Sequence, residues 1–344
     1  MTIYFRVDCG GHYGLGHAMR CRTLAQALHA CAPDVPLAFI TTTPTLGDIV
    51  GTDGAPWRVA CFPDEWTVFE GIRPLIHHGD VLVVDEPAGM GWTEPLWRTK
   101  LRGIIPVVRL DAPWAEADSC DLLVLPGMHH SAETIERLDA AFGERLLVGA
   151  EYVMVREAVM EHRRPWYDHR AGTVFSAGGA DPEEALARLY TMTRPLQAHL
   201  PTSLPFWFLV GYLSKPWKLL RPSSSDFVTG FSPLTIAQAG LFVSLWSTTV
   251  YEALALGTPT LTIARTAGEA EDAARLEAAT DGAVQSLGTL AGLMRETLCD
   301  RLVELWQDAK ERKRMHYASA GLVDGNGAER VGRAVLGLAR ESYE

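Results

Sequence analysis

The chain opens with a sequence pattern that decides its fold: a strand, a glycine-rich turn and a helix. The segments read Ile3-Tyr4-Phe5-Arg6-Val7, then Asp8-Cys9-Gly10-Gly11-His12-Tyr13-Gly14-Leu15-Gly16-His17, then a helical pattern over residues 18–28. Glycines let the backbone of such a turn approach a ligand, and the helix start offers unpaired N–H groups to negative charge. His17 lies at the exit of this turn, where a bound substrate would meet a titratable side chain. The placement favours an enzyme over a scaffold.

A tight connection between a strand and its crossover helix would explain the same glycines. The spacing differs from the G-x-G-x-x-G of dinucleotide folds, and no Gly-Lys-Ser/Thr follows, so a P-loop is not predicted. Gly14 and Gly16 are the candidate ligand-binding glycines of the turn. His12 is expected to be exposed in the loop, whereas His17, at the helix entry, is the candidate catalytic residue.

Length and composition predict a globular protein of two domains. The chain has 344 residues, of which 47% are hydrophobic and 21% charged, enough for a proper core. The formal net charge of -11 argues against a nucleic-acid partner. An anionic small molecule stays compatible with it, because local dipoles and a few arginines decide its binding.

Cysteine usage and hydropathy favour a cytoplasmic protein. The six cysteines form no Cys-x-x-Cys pair and show no zinc spacing with histidine, so they are expected to be reduced. No metal and no cofactor is predicted. The first strand carries a charge, which argues against a signal peptide, and no apolar run approaches the roughly 20 residues that span a bilayer.

Short apolar runs alternate with helical patterns along the chain, which predicts open α/β sheets with right-handed crossovers. The runs are nearly all apolar, as is typical of parallel strands covered on both faces. Strands are predicted at residues 37–41, 81–84, 104–110, 122–125, 173–176, 206–210, 226–229, 241–244 and 260–263. Helices are predicted at residues 65–76, 93–101, 181–199, 247–256 and 269–278.

A charged, proline-containing stretch at residues 161–170 is the predicted connection between domains. It separates a Rossmann-like domain at residues 1–160, which carries the glycine-rich turn and His17, from a Rossmann-like nucleotide-binding domain at residues 161–344. The helical tail at residues 301–340 could pack back on either domain, including the first. Two such domains facing a central cleft would bind a ligand there, at the carboxyl ends of the strands.

A second glycine turn follows a predicted strand in the second half of the chain. Gly178 and Gly179 would let a ligand or the other domain come near. Asp181 is expected to cap the following helix, with Pro182 in its first turn and Glu184 closing a capping box. Capping alone explains Asp181.

A buried strand runs into a helix start that is rich in hydroxyl groups. The segment contains the candidate ligand-binding residues Ser247, Thr248, Thr249 and Glu252. Hydroxyls and free N–H groups at a first turn suit a diphosphate. Glu252 shares a helical face with Thr248, and its carboxylate could accept two hydrogen bonds from a ribose diol. A well-capped helix with a solvated glutamate explains the segment equally well.

Several of these motifs occur in the order of a known family. They are Phe5-Arg6-Val7-Asp8, Gly14-Leu15-Gly16-His17, Met19-Arg20-Cys21, Leu24-Ala25, Leu146-Leu147-Val148-Gly149-Ala150-Glu151-Tyr152-Val153-Met154-Val155-Arg156, Gly178-Gly179-Ala180-Asp181-Pro182 and Ser247-Thr248-Thr249 with Glu252. The chain resembles, up to about residue 282, the UDP-sugar hydrolases of pseudaminic acid biosynthesis. Those enzymes cleave UDP-2,4-diacetamido-2,4,6-trideoxy-altrose and are related to the B-type glycosyltransferases.

The resemblance implies a two-domain glycosyltransferase-like fold, a UDP-sugar substrate and a role for individual residues. His17 would be the base that activates water at the anomeric carbon, and Asp8 would help to shape that site. The helix start at residues 247–249 would hold the diphosphate, and Glu252 the ribose. Helix dipoles and N–H groups can stabilise the leaving charge without a metal.

The chain departs from the family pattern at four places. Leu245-Trp246 stands where the family has Gly-Gly, and Asp85-Glu86-Pro87 where it has Asp-His-Tyr. Asp111 is followed by Ala112 instead of a second aspartate, and residues 264–269 lack the family's Asn-Gln. Trp246 is expected to offer a stacking face to the base or the sugar. Arg20 either faces the same site as His17 or pairs with a surface carboxylate.

Three functions are compatible with these observations. A nucleotide-sugar hydrolase with His17 as base would release UDP and free sugar from a UDP-sugar alone. A glycosyltransferase of the same architecture would turn over only when an acceptor is added. A nucleotide-sugar-binding protein that has lost catalysis would bind UDP without turnover, and the missing Gly-Gly and Asn-Gln favour it.

Overall fold

The computed structural model describes residues 1–10, 14–51, 54–86, 104–166, 170–181, 183–197, 205–214 and 227–341. The chain forms two compact units. The N-terminal unit comprises Met1–Met154 together with Asn326–Glu344, and the C-terminal unit comprises Val155–Gly325. The predicted helix at residues 93–101, His12, Pro87 and Pro182 lie outside the described residues.

The N-terminal unit is a parallel sheet with helices packed on it. Its described strands are β1 (Ile3–Val7), β2 (Leu37–Thr41), β3 (Trp57–Cys61), β4 (Val81–Asp85), β5 (Val107–Leu110), β6 (Leu122–Pro126) and β7 (Leu146–Gly149). Its described helices are α1 (Gly16–Cys31), α2 (Leu46–Val50), α3 (Glu65–Ile72), α4 (Ala132–Phe142) and, from the end of the chain, α12 (Gly327–Glu341). The strands run parallel in the order β3-β2-β1-β4-β5-β6-β7.

The C-terminal unit repeats this arrangement. Its described strands are β8 (Thr173–Ser176), β9 (Phe206–Val210), β10 (Phe227–Thr229), β11 (Leu241–Leu245), β12 (Thr260–Ala264) and β13 (Val284–Thr289). Its described helices are α5 (Glu157–Met160), α6 (Ala185–Gln197), α7 (Pro233–Gln238), α8 (Thr248–Ala255), α9 (Ala267–Ala279), α10 (Arg295–Gln307) and α11 (Ala309–Ser319). The parallel order is β10-β9-β8-β11-β12-β13.

Both units therefore have the doubly wound order of a Rossmann fold, and the predicted fold class is confirmed. The inner strands β1, β4, β6, β8, β11 and β12 are buried or nearly so along their length. Their continuous apolar runs follow from this burial on both faces. In each unit the strand order reverses beside the first strand, between β1 and β4 or between β8 and β11. In open sheets of this kind ligands bind at such a switch point, outside the carboxyl ends of the strands.

The sequence locates the inner strands well and the outer elements poorly. Strand β3 alternates half-buried with exposed residues and includes Arg58, so it has no apolar run to detect. Strand β13 contains Gln285, Ser286 and Gly288. Helix α3 ends earlier than predicted, at Ile72, because a 3₁₀ turn over Arg73–Leu75, with Pro74 as its second residue, follows it. Such edge elements are specified more by packing than by local pattern.

The sequence predicts a domain boundary at residues 160/161, and the structure divides the chain elsewhere. The structure places it between Met154 and Val155, within a buried apolar segment that has no change in composition. The charged stretch that was predicted as a connection belongs to the C-terminal unit, where Arg163 donates a hydrogen bond to the Val323 carbonyl. The tail forms separate helices, and the last of them, α12, packs against α1.

The cap of helix α6 also differs in detail from the prediction. The helix begins at Ala185, and the Asp181 carboxylate accepts hydrogen bonds from the backbone N–H groups of Ala185 and Leu186. Glu184 precedes the helix with a φ of 52°, so it does not close a capping box.

None of the helices in the described ranges combines the length and the apolar character of a membrane span.

Candidate functional site

His17 lies at the switch point of the N-terminal unit, beside a buried carboxylate. It is the second residue of α1, and Asp85 is the last residue of β4, the strand next to β1. The Nδ1 atom of His17 is 2.6 Å from Oδ1 of Asp85. Asp85 is fully buried, whereas the His17 side chain keeps 22% of its surface exposed. A histidine held in this way by a carboxylate is the arrangement of a general base.

The charge state of Asp85 fixes the tautomer of His17. Burial opposes ionisation of Asp85, but the neighbouring Arg20 and His17 outweigh it and lower the pKa of the carboxyl group below its usual value. An ionised carboxylate only accepts hydrogen bonds. Nδ1 of His17 therefore carries the ring proton and donates a hydrogen bond to Asp85. The basic lone pair is then on Nε2, the nitrogen that can take a proton from water or a hydroxyl group.

Arg20 belongs to the same cluster, in a supporting position. Its Nε and Nη2 atoms donate to the two oxygens of Asp85 at 2.8 and 2.7 Å, and Nη1 donates to Oδ2 of Asp111 at 2.6 Å. Its side chain is only 8% exposed. Arg20 thus lies beside His17, with Nη2 3.3 Å from Nδ1 of the histidine, and its bidentate partner is buried Asp85, not a surface carboxylate. A bidentate guanidinium of this kind orients the carboxylate that in turn orients His17.

Asp8 lies in a different network from His17. Its carboxylate pairs with Nη1 and Nη2 of Arg6, each at 2.9 Å, and accepts hydrogen bonds from the Thr41 hydroxyl and from the backbone and hydroxyl of Thr42. Burial opposes ionisation, yet Arg6, Thr41 and Thr42 lower the pKa of Asp8 to about 2. These contacts give Asp8 a structural part: it ties the end of β1 to the end of β2.

Gly14 of the first turn has the open geometry that a ligand needs. Gly14 has a φ of 67°, and a Cβ atom built on it would meet no described atom within 4 Å. Its carbonyl accepts the backbone N–H of Gly10 at 2.8 Å, which closes the turn. Helix α1 begins at Gly16, its N-cap residue Leu15 offers no side-chain acceptor, and its first turn holds no acidic residue. The N–H groups at this helix start therefore suit an anion.

A second ligand-type arrangement occupies the switch point of the C-terminal unit. Ser247 is the N-cap of α8, but its side chain makes no capping hydrogen bond, and its buried Oγ atom has no partner among the described residues. Thr248 is half-buried and Thr249 is buried in the first turn, which contains no acidic side chain. A buried hydroxyl without a partner is costly, so this helix start is suited to bind a group that satisfies it.

Gly178, in the turn after β8, lies beside this helix start. Strands β8 and β11 are neighbours, so the turn after β8 comes next to the turn after β11. Gly178 has a φ of 85°, and a Cβ atom there would lie 4.0 Å from Cβ of Ser247. The Gly179 carbonyl accepts the N–H of Leu213 at 3.0 Å. The structure thus brings two of the predicted binding residues of the C-terminal unit, Gly178 and Ser247, next to each other.

Glu252 is buried and paired, not solvated. Its two carboxylate oxygens accept hydrogen bonds from Nε and Nη2 of Arg156 at 2.6 and 2.7 Å, and its side chain is only 7% exposed. The Arg156 guanidinium also stacks on Phe231, 3.6 Å from the ring centroid. Each carboxylate oxygen of Glu252 keeps a further lone pair, so the carboxylate can still accept hydrogen bonds from a diol. Arg156 is the last residue of the motif at residues 146–156, whose local pattern gives no sign of a partner 96 residues away.

Two departures from the family pattern have clear structural positions. Trp246 is half-buried and follows β11, where its backbone N–H donates to the Ile263 carbonyl at 2.8 Å. Glu86 is 2% exposed and forms a buried ion pair with Arg109. Glu86 is thus engaged in the interior and does not replace the histidine that the family has at this point.

The fold is that of the B-type glycosyltransferases and of the UDP-sugar epimerases built like them. The superposition on the structure of UDP-GlcNAc 2-epimerase from Neisseria meningitidis bound to UDP-GlcNAc covers 98% of this chain and 99% of the epimerase chain. Its TM-score is 0.59 and the sequence identity is 11%. A glycotransferase of kitacinnamycin covers 98% of both chains at a TM-score of 0.65 and 13% identity. MurG from Acinetobacter baumannii covers 97% of this chain and 98% of its own at 0.61 and 11%.

These likenesses extend over nearly the whole chain and define its fold. At the level of sequence, no protein-family model and no curated protein matches the chain. The activity must therefore be argued from the side chains at the two switch points.

Proposed function

We propose that the protein is a nucleotide-sugar hydrolase that releases UDP from a UDP-activated amino or deoxy sugar in glycan biosynthesis. The observation that carries the proposal is the hydrogen-bonded pair of His17 and Asp85 at the switch point of a fold shared with UDP-sugar enzymes. The resemblance of the motifs around His17 to UDP-sugar hydrolases supports the same choice.

In the proposed reaction His17 acts as general base. Nε2 of His17 takes a proton from water as the water oxygen attacks the anomeric carbon. The bond between that carbon and the phosphate oxygen breaks, and UDP leaves with the electron pair. Asp85 keeps Nδ1 protonated and stabilises the imidazolium that forms. Arg20 holds Asp85 in place through its two hydrogen bonds.

The C-terminal unit would supply the nucleotide site. The uncapped start of α8 and the Ser247 hydroxyl would stabilise the diphosphate as its charge grows on leaving. Gly178 leaves room beside Ser247 for that group. Glu252, held by Arg156, would accept the ribose hydroxyls, and Trp246 would stack on the base or the sugar.

The proposal is tested by incubating the protein with a panel of UDP-, CMP- and GDP-sugars in water enriched in ¹⁸O, without an acceptor. We expect one UDP-sugar to yield UDP and free sugar, with the label in the sugar, because the attack is at carbon. Label in UDP would instead indicate attack at phosphorus. The products are measured by mass spectrometry.

Replacement of His17 by alanine should lower the rate by about 10²–10⁴-fold, the usual contribution of a positioned base. The matched control is His77→Ala, because His77 is a 78% exposed histidine in the same unit. Full activity in His17→Ala, or no release of nucleotide from any sugar of the panel, would refute the hydrolase.

A glycosyltransferase is the second candidate, favoured by the likeness to the kitacinnamycin glycotransferase. In that reaction His17 would deprotonate an acceptor hydroxyl, and the same panel would show turnover only after an acceptor is added. Tight binding of UDP with no turnover under either condition would instead identify a binding protein that has lost catalysis.

A further inference from the structure

Asp111, His129 and His130 form a cluster of potential metal ligands in the N-terminal unit. One ligand atom from each residue lies within 4.8 Å of the others, and Nε2 of His130 is 3.8 Å from Oδ1 of Asp111. The two imidazole rings are 4.0 Å apart between centroids. Ligand atoms around a tetrahedral zinc lie about 3.3 Å apart, given bonds of roughly 2.0 Å, so small side-chain rotations would close the site.

The backbone holds these three residues at one edge of the sheet. Asp111 directly follows β5 in a left-handed conformation (φ 55°), and its N–H donates to the Val124 carbonyl of the neighbouring strand β6. His129 and His130 lie between the end of β6 and Ser131, which caps α4 through the N–H of Thr134. Both sides of the cluster are therefore anchored to regular structure, as a preformed site requires.

The local charge favours a cation. Asp85 and Asp111 carry two negative charges, and Arg20, which contacts both, neutralises one of them. Arg20 binds Oδ2, while Oδ1 is the oxygen that faces His130.

The ligand types select the metal. Two imidazoles and one carboxylate suit zinc and its neighbours among the divalent transition metals, whereas Mg²⁺ and Ca²⁺ prefer oxygen ligands. Three protein ligands would leave at least one position for water or another small ligand. The residues were not expected to meet, because Asp111 is 18 residues before His129 and shows no recognisable zinc spacing with it.

We propose that Asp111, His129 and His130 form a binding site for one divalent transition-metal ion of the zinc type. The alternative is a purely structural cluster, in which protonated histidines pair with Asp111. The proposal does not depend on the reaction proposed above, because its test measures binding of the metal and not turnover.

The test is a titration of the full-length, chelator-treated protein, made without a polyhistidine tag, with Co²⁺. We expect one Co²⁺ per chain, seen by its visible absorption, and displacement of that absorption by one equivalent of Zn²⁺. Calorimetry with Zn²⁺ gives the affinity. His129→Ala should weaken binding on the order of 100-fold or more, because it removes one of only three ligands. Asp111→Asn should do the same, and circular dichroism checks that it is folded.

The control is the double variant His77→Ala/His78→Ala, which removes an exposed pair of adjacent histidines from the same unit. It should bind Co²⁺ as the unaltered protein does. The proposal is overturned if the unaltered protein binds no stoichiometric Co²⁺ or Zn²⁺. It is overturned as well if binding survives in His129→Ala but is lost in the control variant.

Discussion

At the scale of single residues, the candidate base was predictable and its partner was not. His17 stands out in the sequence because it follows a glycine-rich turn at a helix start. Asp85 lies 68 residues further on, in a strand whose local sequence reveals only burial. Only the pairing of β1 with β4 brings the two together. The same holds for Arg156 and Glu252, which are 96 residues apart.

Asp85→Asn tests whether the carboxylate positions His17. An asparagine of the same shape can present either its oxygen or its amide to Nδ1, so the correct tautomer is no longer enforced. If the protein turns over a UDP-sugar, we expect kcat to fall by about 10²–10⁴-fold while KM changes little. Steady-state kinetics on the identified substrate measure both quantities.

The control for this substitution is Asp34→Asn, which alters an exposed aspartate of the same unit and should leave kcat unchanged. Thermal unfolding is recorded for both variants, because Arg20 loses part of its compensation in Asp85→Asn. A rise in KM with kcat unchanged would show that Asp85 contributes to substrate binding and does not position the general base.

Asp8→Asn should reveal a contribution to stability that depends on pH. The pKa of Asp8 is lowered from 3.8 to about 2 by its contacts with Arg6, Thr41 and Thr42, so folding favours the ionised form. The stabilisation is on the order of 2 kcal/mol, present above pH 4 and lost as the pH falls toward 2. Denaturant unfolding of the variant and of the unaltered protein should differ by that amount at pH 7 and converge as the pH falls to about 2. A constant difference at all pH values would contradict this account.

At the scale of elements, the inner strands and the helix starts were predictable from sequence, and the edges of the sheets were not. The predictions for β2, β8 and β9 coincide with the observed strands because these strands are short apolar runs with clear ends. The start of α8 was predictable from its hydroxyl residues. Its end is fixed by Gly257 (φ 67°) and by buried Arg170, which donates to the carbonyls of Leu256 and Gly257 just after the last helical residue.

Gly178→Ala tests whether the start of α8 binds the diphosphate. Alanine at a φ of 85° costs about 1–2 kcal/mol of stability, and its methyl group would project toward Ser247. We expect the affinity for UDP to fall by on the order of tenfold, as measured by calorimetry, because the added group enters the space proposed for phosphate.

The matched control is Gly321→Ala, since Gly321 has a similar φ of 89° and open space around a Cβ atom. It should lose comparable stability and keep its affinity for UDP. Equal loss of affinity in the two variants would attribute the effect to general destabilisation and remove Gly178 from the proposed site.

At the scale of the whole molecule, alternation of strands and helices predicted two doubly wound domains, but not how the chain divides between them. The crossing between units at residues 154/155 lies in a buried apolar segment, so no linker composition marks it. The last helix was expected to return to the first domain only as one of two possibilities. Tertiary packing determines that this helix belongs to the N-terminal unit. Its residues Val331, Val335 and Ala339 join the core around Leu24 and Leu28.

This packing makes the stability of the N-terminal unit depend on the end of the chain. Val335 is fully buried in that core, and Val335→Ala should lower the unfolding free energy of the unit by about 2 kcal/mol through lost burial and a residual cavity. Hydrogen exchange should show faster exchange in α1 and β1, while β8, β11 and β12 of the C-terminal unit keep their protection. Arg333→Ala, on the exposed side of the same helix, should change neither unit. If loss of protection in Val335→Ala were confined to the C-terminal unit, the assignment of α12 to the N-terminal core would be wrong.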